Sequence, residues 1–188
     1  MASPIVRYRM VHCMEPYQVL LLILVLVAFL YLVLLVYVFG KMHEFKVRLR
    51  DKLQGINLLL YERTDALLRI FELFRENLSA LGEPELEYVK ALKSVHFEKP
   101  KEEEVRRAME TVKAATSYMR YFSQPHPNIK EDPRFLQIVE FLDDLERSFR
   151  TLMLQYNADV TAYNYWIQIP TIRWFAYIIG YRKKLPIS

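Results

Sequence analysis

The chain has 188 residues, 53% of them hydrophobic, a net charge of +4, four glycines, nine prolines and a single cysteine, Cys13. That length suits one domain with an appendage. So few glycines leave little material for sheets or Gly-rich phosphate loops, and one cysteine excludes an internal disulfide framework or a cysteine-built metal site.

Residues 1–16 form a short amino-terminal segment. The next stretch, "YQVLLLILVLVAFLYLVLLVYVF" (17–39), carries no charge over 23 residues. About 20 apolar residues cross a hydrocarbon core of ~30 Å, so it reads as a transmembrane helix. A cleaved signal peptide has a shorter apolar core followed by small residues, whereas this run ends in Tyr37-Val38-Phe39-Gly40-Lys41. Lys41, Lys46, Arg48, Arg50 and Lys52 follow the span, and only Arg7 and Arg9 precede it. By the positive-inside rule this bias places the carboxy-terminal part in the cytoplasm, as a single-pass protein.

Beyond Gly40 the pattern becomes amphipathic. Leu49, Leu53, Ile56, Leu60, Leu67, Ile70, Phe74, Leu78 and Leu81 recur at three- and four-residue spacing and predict a helix from about 41 to Ala80. Gly82 reads as its carboxy-terminal cap, and Pro84 opens a short helix (84–98) with Leu86, Val89 and Leu92 on its apolar side. Pro100 precedes a third helix (101–124). The Glu102-Glu103-Glu104 run there is read as complementing the helix dipole. "SQPHPNIKEDP" is a break, and Asp132-Pro133 starts a fourth helix to 168. Its seam is Phe135, Ile138, Leu142, Leu145, Phe149, Leu152, Tyr156, Tyr163 and Trp166.

The expected fold is therefore all-α: a single N-terminal transmembrane helix (17–39) followed by a long antiparallel four-helix bundle (41–168), because long helices with narrow apolar seams bury them against one another. Residues 169–188 form a basic aromatic tail. Arg173, Trp174, Phe175, Tyr177, Tyr181, Arg182, Lys183 and Lys184 make it a candidate membrane-interface element, since headgroup regions favour aromatics with cations. The competing reading is that its apolar part caps the bundle.

The fourth helix pairs Tyr with Asn twice, at Tyr156-Asn157 and Tyr163-Asn164, one heptad apart and therefore on one face. A buried amide needs hydrogen-bond partners, and in coiled coils it fixes register. Arg63 occupies a seam position of the first long helix, with Asp65 beside it. The expectation is a structural polar layer or interaction face of Arg63, Asp65, Tyr156, Asn157, Tyr163 and Asn164. A ligand-binding notch and a solvated surface are the other readings.

These elements resemble the LemA family. The likeness is carried by "NIKEDPRFLQIVEFLDDLERSFRTLMLQYNADVTAYNYWIQIP", with Phe135-Leu136, Glu146-Arg147, Tyr156-Asn157, Tyr163-Asn164 and the Ile169-Pro170 stop. Arg63-x-Asp65 and Gly180-Tyr181 match as well, while Leu68-Arg69 stands where the family has Pro-Asn. The resemblance implies a bacterial protein anchored in the inner membrane, with a helical domain and no catalytic residues.

His12, His43, His96 and His126 are scattered, and none falls at a metal-ligand spacing. No nucleophile stands with a base and an orienting group. The sequence predicts no enzyme, no metal and no cofactor. It predicts no nucleic-acid partner either, since the cations gather beside the apolar span. The expected function is a membrane-anchored, non-catalytic scaffold or adaptor. Its partners would be the lipid bilayer and other membrane or membrane-associated proteins, with homo-oligomerisation left open. The alternative is a sensory or ligand-binding bundle of inverted topology.

Overall fold

The computed structural model describes residues 16–78, 82–95, 97–98 and 100–187. The readings on Arg7, Arg9, Cys13 and His12, on the helix end near Ala80, and on Leu81 and His96 lie outside these residues. Every regular element among them is helical: α1 (Pro16–Leu78), α2 (Glu83–Lys93), α3 (Glu102–Ser123), α4 (Pro127–Lys130), α5 (Pro133–Gln168) and α6 (Pro170–Ile178).

The chain divides into two compact units, residues 1–41 and 42–188. The first contains the apolar part of α1, which is long and apolar enough to cross a membrane and has none of its apolar window buried. Its 23 uncharged residues rise about 35 Å, enough for a hydrocarbon core of about 30 Å. The helix does not stop at Gly40, where the sequence suggested a new start. Gly40 is internal to α1, with nothing near the position a Cβ would occupy.

In the second unit, the seam expected along α1 is buried: Leu49, Leu53, Ile56, Leu60, Leu67, Ile70 and Phe74 are all in the core. They share it with Phe135, Leu142, Leu145, Phe149, Tyr156 and Tyr163 of α5, and with Val105, Val112 and Met119 of α3. The α1–α5 pairing is antiparallel. Lys52 meets Asp159, Arg63 meets Glu146, Phe74 meets Phe135 and Glu76 meets Arg134, so one number rises as the other falls. Gly55 lies inside this seam, where an added Cβ would stand 2.9 Å from Leu152 Cδ2. By contrast α3 runs parallel to α1, with Phe71 against Tyr118 and Phe74 against Phe122.

Local chemistry sets the helix ends. Asp132 accepts from Arg134 N at 2.8 Å and caps α5, and Pro133 occupies its first turn. Both contacts with Arg134 hold the Asp132 carboxyl below its ordinary range. Glu104 accepts from the Lys101 backbone at 2.9 Å at the start of α3. Two expectations for α2 are corrected. Gly82, with φ −71, is the N-cap of α2 rather than the carboxy-terminal cap of α1. Leu86 is exposed, and Glu85 is buried instead, accepting from the Tyr118 hydroxyl. Burial first, then the bond to Glu85, pushes the Tyr118 phenol well above its usual range.

Candidate functional site

The carboxy-terminal path begins at Pro170. It removes a donor from α5 and takes the first position of α6, with Ile169 as the single extended joint (ψ 123) between the helices. Nine residues later α6 ends in a Schellman motif. Tyr181 N donates to Ala176 O at 2.8 Å and Gly180 N to Tyr177 O at 3.1 Å, with Gly180 at φ +84. A left-handed residue there is best supplied by glycine. The turn sends the chain back along α5 as a non-helical strap, residues 181–187.

The two asparagines of the Tyr-Asn pairs hold that strap. Asn164 Nδ2 donates to Lys184 O at 2.8 Å, and Lys184 N donates to Asn164 Oδ1 at 3.0 Å. Asn157 Nδ2 donates to Ile187 O at 2.7 Å, and Ile187 N donates to Asn157 Oδ1 at 2.9 Å. Each carboxamide thus satisfies one residue's main chain as a neighbouring β-strand would. The spacing follows from geometry. Seven helical residues rise about 10.5 Å, and three extended residues span about 10 Å. A heptad on α5 therefore matches residues i and i+3 of an extended chain.

The other wall is α3. Glu102 pairs with Lys184, and Arg106 Nη2 donates to Pro186 O at 3.1 Å. Ile187 is fully buried between these walls. The tyrosines form the floor: Tyr156 is 0% and Tyr163 2% exposed. Burial, followed by the Glu102 charge, pushes the Tyr156 phenol far above its ordinary value, and its buried hydroxyl has no hydrogen-bond partner among the described residues. Tyr163 is pushed up to about 12, chiefly by burial and then by Tyr181 and Glu102.

Arg63 and Asp65 are not part of this assembly. Arg63, 9% exposed, places Nη1 2.7 Å from Glu146 Oε2 and stacks over Phe149 at 5.5 Å. Asp65 lies at the surface, 2.8 Å from Arg69 one turn on. The physical reason is register. Tyr156 lies between the levels of Lys52 and Gly55 on α1, well short of Arg63. At that level it is Lys52 that ties α1 to α5, through Asp159 at 2.7 Å and Gln155 O at 3.3 Å.

The residues read as a membrane interface divide in the same way. Ile172 and Ala176 bury one side of α6, while Arg173, Trp174, Phe175, Tyr177 and Ile178 are exposed. Arg173, Trp174, Tyr177, Arg182 and Lys183 line a cavity of about 580 Å³ at this end. Tyr181 is half-buried beneath Lys46 Nζ, 5.8 Å from the ring centroid. Lys184 turns away from this group toward Glu102.

Glu102, Arg106 and Ile187 were missed as site residues by sequence reasoning. Glu102 was explained by the helix dipole, and its partner lies 82 positions away. The signal legible in the sequence is the Asn–Asn heptad itself, but periodicity points to α1 for its partner rather than to the strap.

The arrangement grips main chain through hydrogen bonds. No protein of curated function matches the chain. The model of the LemA family matches residues 52–186, which takes in the Asn157–Asn164 face and the strap as far as Pro186, and the chain belongs to that family.

Proposed function

We infer that this protein is a membrane-anchored, non-catalytic helical scaffold or adaptor, working at the bacterial inner membrane and engaging other membrane or membrane-associated proteins. In this reading residues 42–188 act as an antiparallel four-helix bundle on the cytoplasmic side. The observation that carries it is the uncovered apolar helix of the first unit. Leu20, Leu24 and Phe29 are each about three-fifths exposed, so none of the described residues buries them. The cation bias after residue 40 favours a cytoplasmic domain. The exposed face of α6, with Trp174 and Tyr177 beside Arg173 and Arg182, suits the headgroup layer of the bilayer.

Topology and partnership are tested together. Glu87→Cys and Glu140→Cys, each in a Cys13→Ser background, place a thiol on exposed helix positions. An impermeant thiol reagent should label neither in spheroplasts until the membrane is opened, and crosslinking in membranes should capture integral membrane proteins. Labelling of both in sealed spheroplasts would put the domain outside and favour a sensory or ligand-binding bundle. Crosslinks confined to lipid would end the adaptor reading.

A further inference from the structure

Arg106, which donates to Pro186 O of the strap, also lines a cavity of about 520 Å³ between α3 and α5. Its walls repeat the heptad that holds the strap. On α5 the series Asn164, Asn157 continues to Arg150 and Asp143. On α3, Arg106 is followed by Lys113 and Arg120. The occupied part is lined by carboxamides that read main chain, and the open part by five cations against three carboxylates.

We propose that this open half of the α3–α5 groove binds an extended acidic peptide segment of a partner protein, with carboxylates three residues apart. This rests on the adaptor reading and names the chemistry of the partner's contacting segment. The neighbouring Asn157–Asn164 face already holds extended chain, the protein's own residues 184–187. On the α3 wall the step between the cations Arg106, Lys113 and Arg120 is again about 10.5 Å, which an extended chain covers in three residues.

Charge complements the occupant. Arg63, Arg106, Lys113, Arg120 and Arg150 face the cavity, against Glu110, Asp143 and Glu146. Glu146 already serves Arg63 and Arg150, and Asp143 serves Arg120. Lys113 makes no ion pair among the described residues. Arg63 Nε and Arg106 Nε are buried donors without an acceptor there. Lys113, exposed and without a fixed acidic partner among the described residues, can give an incoming carboxylate a charge-assisted bond. Met109, Met119 and Met153 line the same space and adapt to varied apolar side chains between the acids.

The test uses the full chain in nanodiscs of phosphatidylcholine and a fluorescent extended peptide, rich in Val and Thr, with Glu at positions i and i+3. Saturable binding is expected, about tenfold weaker for the Glu→Gln peptide and for the peptide with adjacent Glu residues. Lys113→Glu, at an exposed position, should weaken binding by about tenfold while leaving the melting temperature unchanged. Equal binding of the Gln peptide, indifference to Lys113→Glu, or no saturation at millimolar peptide would overturn the proposal. Displacement by inorganic phosphate at the affinity of the peptide would also overturn it, by reducing the site to one for simple anions. Thiol labelling and crosslinking read topology and partnership without this groove, so either result can fail while the other stands.

Discussion

Asn157 and Ile187, thirty positions apart, exchange two hydrogen bonds of 2.7 and 2.9 Å, and Asn164 repeats the exchange with Lys184 one heptad away. The pair makes α5 a template for extended chain, and the strap it holds buries Ile187 completely. The two carboxamides thus bind main chain rather than other side chains.

Removing either carboxamide strands two main-chain groups and loosens the strap. Asn157→Ala and Asn164→Ala are each expected to cost about 1–3 kcal/mol. Both act on one short segment, so the double variant should cost less than the two singly. Chemical denaturation midpoints of the full chain in detergent check this. Additive, negligible effects would mean the strap contributes nothing to stability.

Arg63 and Glu146 form a separate polar contact inside the α1–α5 seam. Burial lowers the Arg63 pKa while Glu146 opposes the shift, so Glu146 is the counter-charge that offsets the desolvation of the guanidinium. Glu146→Ala is expected to cost about 2–3 kcal/mol by leaving a buried cation without its counter-charge. Arg63→Met should cost less, because it refills the volume and leaves Glu146 paired with Arg150 at 2.8 Å. Thermal unfolding of the two variants separates these cases, and the reverse order would contradict the account.

The buried tyrosines set an alkaline limit. Tyr163 ionises at about 12 when folded and near its ordinary 10.0 when unfolded. Between those values the unfolded chain binds fewer protons, so stability is full below about pH 10 and falls as pH rises toward 12. Tyr156, raised in the same direction, deepens the fall. Tyr156→Phe removes a buried hydroxyl without a partner and should be near neutral at pH 7 while flattening the alkaline decline. Stability curves against pH for the two proteins provide the check.

Features set by neighbouring residues were legible in the sequence. The apolar span, the seam positions of α1 and α5, the Asp132-Pro133 start and the Pro170 stop all depend on local composition or periodicity. Features set by register or long-range return were not. Arg63 was recognised as a seam cation, but its partner depends on an axial offset between two helices that periodicity leaves free. Glu102 sits where a dipole argument already accounts for it, which hid its bond to Lys184. Glu85 and Leu86 differ by one position, so a small rotation of a short helix decides which is buried. Asn157 and Asn164 announced an unusual face, yet the partner was a tail whose return depends on Pro170 and the left-handed Gly180.

The most direct measurement of the central claim is amide hydrogen exchange at Lys184 and Ile187 in the full chain, resolved by residue. Both amides are expected to exchange slowly, since each donates to a half-buried carboxamide oxygen. In Asn164→Ala the Lys184 amide, and in Asn157→Ala the Ile187 amide, should accelerate sharply while the core amides of α5 stay protected. Free-chain exchange at both positions in the unmutated protein, or protection unchanged by both substitutions, would contradict the clamp.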